Sequence, residues 1–165
     1  MKKVIGMLSI LGMSICSQSI MALCLGCSCS VNSNSVAFGT YNPIANVPSN
    51  TLGTITVTCQ ALISLLDAPY TISLSKGNGP AFNDRRMSAP NDPNALKYNL
   101  YTSPARTQIW GNGTGGTSSV RGQIAFLRLL QTVTVNHTIY GNIPTNQTAV
   151  KAGNYSDNIN ITISY

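Results

Sequence analysis

Gly53-Thr54-Ile55-Thr56-Val57-Thr58-Cys59 is the most regular stretch of the sequence: Ile55, Val57 and Cys59 alternate with three threonines. A period of two sends alternate side chains to opposite faces of an extended chain, so this segment reads as a half-buried β-strand. The same pattern recurs on the C-terminal side. Tyr70, Ile72 and Leu74 alternate with Thr71, Ser73 and Ser75, and Lys76-Gly77-Asn78-Gly79-Pro80 ends that run as a turn. Leu96, Tyr98 and Leu100 repeat it until Ser103-Pro104 breaks it. Val133, Val135, His137 and Ile139 alternate with Thr134, Asn136 and Thr138, and Ile159, Ile161, Ile163 and Tyr165 with Asn160, Thr162 and Ser164. Residues 124–130 are ambiguous, and flanking Gly122 and Val133 favour a strand there. Short strands separated by turns predict an all-β chain folded as an antiparallel sandwich or barrel.

A chain of 165 residues is one domain by length. Only 8% of it is charged, against roughly 25% in an ordinary soluble chain. The acids are Asp67, Asp84, Asp92 and Asp157, with no glutamate, and His137 is the only histidine. A carboxylate-pair hydrolase or a histidine-based triad has almost nothing to draw on, so an enzyme is not expected. Lys76, Arg85, Arg86, Lys97, Arg106, Arg121, Arg128 and Lys151 are scattered. Nucleic-acid binding needs clustering, and these cations read instead as surface residues that keep strand edges soluble.

Lys2 and Lys3 followed by a nearly continuous apolar run over residues 4–15 have the form of a secretory signal. The expected division is a signal peptide over residues 1–24, cleaved somewhere between 19 and 26, and one domain over 25–165. Export exposes the remaining cysteines to an oxidising compartment, so a disulfide is expected among Cys24, Cys27, Cys29 and Cys59. Cys29 and Cys59 end separate strand-like segments, and their pairing would close a loop of about 30 residues. Cys24 and Cys27 can pair with each other or leave one thiol free. Cys27-Ser28-Cys29 is half of a zinc motif without its second half, so no metal is expected. His137, in phase with its apolar neighbours, reads as a packing residue. Trp110 beside the Gly111–Gly116 loop suits either a sugar-stacking platform or an ordered turn around a buried indole, and the second is the commoner arrangement. The alternating run that closes at Tyr165 must be paired inside its own sheet or by a strand from another molecule, because an uncovered apolar edge aggregates.

Cys29-Ser30-Val31, Phe38-Gly39-Thr40-Tyr41, the 53–59 strand and Arg86-Met87 occur in that order. They are followed by Leu96-Lys97-Tyr98-Asn99-Leu100-Tyr101, Ile109-Trp110-Gly111-Asn112-Gly113, Ile139-Tyr140-Gly141-Asn142-Ile143-Pro144 and Gly153-Asn154-Tyr155-Ser156-Asp157. In this series the chain resembles the spore coat protein U domain, the domain of archaic (Csu-type) chaperone–usher pilus subunits. The resemblance covers residues 29–165. It implies an incomplete immunoglobulin-like (pilin) β-sandwich lacking its last strand, completed by a donor strand from a periplasmic chaperone and later from a neighbouring subunit. On this chain the implied donor groove falls on Val36 and Phe38 at a first strand and on Ile159, Ile161, Ile163 and Tyr165 at the last. The family's disulfide falls on Cys29 and Cys59. The implied partners are the periplasmic chaperone, an outer-membrane usher and neighbouring pilus subunits. The implied destination is a cell-surface pilus reached through the periplasm, serving adhesion and biofilm formation, with no cofactor. A self-contained secreted coat protein of a cell or spore surface is the alternative.

One feature departs from a shaft subunit. Shaft subunits carry a donor extension of alternating residues before the first family cysteine, whereas residues 20–28 do not alternate cleanly. Filling a groove takes several residues at about 3.3 Å each. The expectation is a subunit that accepts a strand without donating one, at a tip or minor position.

Overall fold

The computed structural model describes residues 28–61, 68–125 and 130–165. The signal segment, Cys24, Cys27 and much of the ambiguous 124–130 run lie outside the described residues. Eight strands follow one another: β1 (Ser28–Ser33), β2 (Ser49–Ala61), β3 (Ala68–Leu74), β4 (Arg85–Ala89), β5 (Asp92–Tyr101), β6 (Val120–Ile124), β7 (Gln131–Ile143) and β8 (Ile161–Ser164). They form a five-stranded sheet in the order β1-β2-β7-β5-β4 and a three-stranded sheet in the order β6-β3-β8. All ladders between strands are antiparallel.

The Thr-Ile-Thr-Val-Thr-Cys alternation places β2 at the centre. Its register with β7 is unbroken from Ser49↔Ile143 to Ala61↔Gln131, and a one-residue slip would turn Ile55, Val57 and Cys59 out to solvent. Those three join Ile72, Leu74, Tyr98, Leu100, Ile124, Ile139 and Ile143 in the core between the sheets. Threonines and asparagines hold the outer face, where Thr58 pairs with Thr134 and Thr56 donates to Asn136. Cys29 and Cys59 face each other across β1 and β2 and form a disulfide.

Four boundaries differ from the sequence reading. Val36 and Phe38 lie past the end of β1, outside any strand. The ladder hands over at the bond from the Asn34 amide to the Thr54 carbonyl, after which side chains hold the segment: Thr51 Oγ1 donates to the Ala37 carbonyl (2.7 Å) and Ser49 Oγ to that of Phe38 (3.2 Å). The segment lies over two inward-facing glycines. A Cβ at Gly53 would come 2.6 Å from Val36 Cγ2, and one at Gly141 2.9 Å from Phe38 Cζ. The second difference is β6, which ends at Ile124 where the expected strand would begin, and the third is β4, which the alternation did not reveal. β4 is five residues long and alternates on Arg85 and Met87, so its inward face opens with a charge. β8 is shorter than its sequence pattern, with Ile159 before it and Tyr165 after it.

Candidate functional site

A cleft opens on the side where β1 and β8 form the ends of their sheets. Among the described residues β1 pairs only with β2 and β8 only with β3, so the outer backbone edge of each is unpaired by any strand. Residues 33–43 form one wall and residues 150–161 the other. The floor is the inner face of the five-stranded sheet, carrying Met87, Leu96, Tyr98, Leu100, Ile139 and Ile143. The cleft has two sections, of about 580 Å³ and about 300 Å³, both bordered by Val36, Phe38, Met87 and Tyr155.

Four of the six residues expected in a donor groove line this cleft: Val36, Phe38, Ile159 and Ile161. Ile163 lies farther along β8 opposite Ile72, packed on the core. Tyr165 is 62% exposed and lines neither section. The alternation of residues 159–165 predicted one continuous face, but β8 begins only at Ile161 and its inward positions divide between cleft and core. The floor residues Leu96, Tyr98 and Leu100 were legible as one face of a strand. Periodicity assigns a face without saying what covers it, so their place beneath a cleft was not.

The two walls are fixed differently. Val36 and Phe38 are held by packing over Gly53 and Gly141 and by the edge-on contact of Phe38 with Tyr98, ring centroids 5.9 Å apart. The opposite wall is pinned by polar contacts. Ser156 exchanges backbone hydrogen bonds with Ser88 (2.9 and 3.0 Å). Asp157 accepts from the Tyr98 hydroxyl (2.7 Å) and from the amides of Asn78 and Asn158. Gly77, at φ 63°, leaves room for that carboxylate, since a Cβ there would sit 2.1 Å from Asp157 Oδ2. Burial first, and then the bond to Asp157, push the Tyr98 phenol far above its ordinary range, so it stays a donor. Ser75 holds Asn160 through both its amide and its hydroxyl.

Beneath that wall lies Arg85, which is 0% exposed. Its guanidinium donates to the Ser75 carbonyl, to Asn99 Oδ1 (2.8 Å) and to the Trp110 carbonyl (2.7 Å), and it lies over the Phe82 ring. In the sequence it reads as a surface cation. Its burial follows from three carbonyl acceptors converging where the β3 end, β5 and the Trp110 turn meet, and no composition signal announces such a convergence. Trp110 is also 0% exposed, and its indole nitrogen donates to the Ile72 carbonyl (3.0 Å). That geometry removes the sugar-stacking platform. His137 joins the two sheets by a 2.6 Å hydrogen bond to Tyr70, and burial holds its pKa below the usual value. Among the described residues no three His, Cys, Asp or Glu side chains cluster to hold a metal ion.

A family description of the Spore Coat Protein U domain matches residues 18–162. The chain belongs to the Spore Coat Protein U domain family. No curated protein matches the sequence. Among solved structures, this Spore Coat Protein U domain is similar to a chain in the crystal structure of the CsuC–CsuE chaperone–tip adhesion subunit pre-assembly complex from archaic chaperone–usher Csu pili of Acinetobacter baumannii. The TM-score is 0.53 at 20% identity, over 84% of this chain. The match spans 40% of that solved chain, so the likeness is one of fold. That fold is the pilin-type β-sandwich the sequence resemblance implied.

Proposed function

We propose that this protein is a structural, non-enzymatic subunit of a chaperone–usher surface pilus whose cleft accepts a donor strand, first from a periplasmic chaperone and then from a neighbouring subunit. The observation that carries the reading is the cleft itself. It is apolar along its floor, flanked by the unpaired edge of β8 and by the Val36–Phe38 wall, and lies where one more strand would close the sandwich. An added strand would pair its backbone with an edge and insert alternate side chains onto the floor. At about 25 cal/mol per Å² of apolar surface covered, several inserted side chains supply many kcal/mol before ordering costs. Export as a signal-bearing precursor and delivery by an outer-membrane usher to the cell surface belong to the same proposal. So do adhesion and biofilm formation. A tip or minor position is supported by residues 20–28, which lack the alternation of a donor.

The test is periplasmic expression with and without the cognate chaperone, read as soluble yield and co-purification. The expected result is soluble protein only as a one-to-one chaperone complex. A stable, soluble monomer made without the chaperone would overturn strand acceptance and favour a self-contained coat protein. Wild-type pilus incorporation by Ile161→Asp would remove Ile161 from the contact.

A further inference from the structure

Resting on the strand-accepting reading, the shape and charge of the cleft specify what the accepted strand must carry. The two sections are unequal, about 580 Å³ near Tyr41 and Val150 against about 300 Å³ near Ser33 and Ile161. At the wide section Tyr41 of the first wall is tied to the segment that follows β7. The Tyr41 hydroxyl donates to the Pro144 carbonyl (2.8 Å) and accepts from the Gln147 amide (3.3 Å). Gln147 is itself locked to β5, its side chain accepting from the Lys97 amide (2.7 Å) and donating to the Lys97 carbonyl (2.9 Å). Tyr41 is therefore held firmly at that end, whereas the end between Ser33 and Ile161 has no such clasp among the described residues. Lys151 lines the wide section and makes no ion pair among the described residues. The nearby carboxylate of Asp92 is engaged by the Lys151 and Asn94 amides and the Tyr155 hydroxyl.

We infer that the cleft is selective for an extended segment of another protein whose bulkiest apolar side chain fills the wide section against the Tyr41 clasp, with an acidic residue beside it facing Lys151. Smaller aliphatic side chains suit the narrow section. The clasp fixes the register, since a segment advanced by two residues would drive its leading side chain into Tyr41.

The experiment titrates the full chain, in whichever soluble form the periplasm yields, with labelled alternating peptides of about ten residues, roughly 33 Å when extended. Binding or displacement is read by anisotropy. A peptide with Phe at the wide-section position and Glu beside it should bind about tenfold or more tightly than its Phe→Ala counterpart, the worth of burying one aromatic side chain. Replacing its Glu by Lys should weaken binding about two- to fivefold, and Lys151→Glu should reverse that preference. Lys151 is exposed, so the variant folds. Equal affinities for the Phe and Ala peptides, or no charge reversal, would overturn this selectivity while leaving strand acceptance standing. Failure of every alternating peptide to outbind a shuffled control would overturn strand acceptance itself. Equally tight binding of a peptide of residues 18–27, which has no acid, would overturn the partner chemistry in favour of this chain's own N-terminal segment.

Discussion

Tyr70 shows how much a single position constrains its neighbours. It is 2% exposed, bonded to His137 across the sandwich, and seated so closely on β6 that a Cβ at Gly122 would come 2.2 Å from its ring. The ring cannot retreat without giving up its histidine, so Gly122→Ala should lower stability by about 1–3 kcal/mol, as overpacking does. Chemical denaturation checks this, and an unchanged midpoint would mean that Tyr70 moves freely. Asp92 predicts an acid response. The Lys151 amide and the Tyr155 hydroxyl hold its pKa at about 2, below the usual 3.8. A depressed carboxylate stabilises the fold above its unfolded pKa and loses that contribution as pH falls through the folded one. Thermal midpoints should therefore fall between pH 3.8 and about 2, with a shallower fall in Asp92→Asn. An identical profile in the variant would exclude Asp92 as the source. Of these residues, only the inward phases of Tyr70 and His137 were legible beforehand. The two sit 67 positions apart, and periodicity identifies a face without identifying the residue opposite.

At the scale of elements, strands that alternate cleanly were legible, whereas β4 was missed and β1 was legible only as a strand-like segment at Cys29. β2, β3, β5 and β7 bury one face against the opposite sheet, so selection for apolar residues on that face leaves a period of two. β4 carries Arg85 at a buried position, and β1 has only a few half-buried side chains, so neither leaves that trace. β1 depends on its link to β2 instead. Removing the Cys29–Cys59 disulfide, which spans 30 residues of sequence, as Cys29→Ala/Cys59→Ala should cost about 3–4 kcal/mol by the chain-entropy relation. A loss below about 1 kcal/mol in denaturant unfolding would show that the ladder alone holds β1. Gly53 and Gly141 interrupt otherwise good strands because Val36 and Phe38 occupy the space their side chains would take. Gly53→Ala should displace Val36 and weaken donor-peptide binding more than it lowers overall stability, and comparing the two losses decides it.

For the whole molecule, an all-β sandwich followed from the strands, and its particular incompleteness followed from the resemblance of motifs spread along residues 29–165. The cleft's floor, clasp and two sections arise from residues far apart in sequence, and no local pattern encodes how they converge. This architecture divides the chain into parts of unequal stability. β2, β5 and β7 are paired on both sides within the five-stranded sheet, whereas β8 and the 34–41 wall each have one side toward the cleft. Backbone amides open according to the local contacts that must be broken. Hydrogen exchange on the chain without a donor should therefore find β8 and residues 34–41 exchanging orders of magnitude faster than β2 and β7. Adding a donor peptide should slow β8 and the wall together while leaving the central strands nearly unchanged. Protection of β8 equal to that of β2 before any strand is added would mean that the sandwich closes on itself, and a pilus built by strand insertion would then have no place to begin on this subunit.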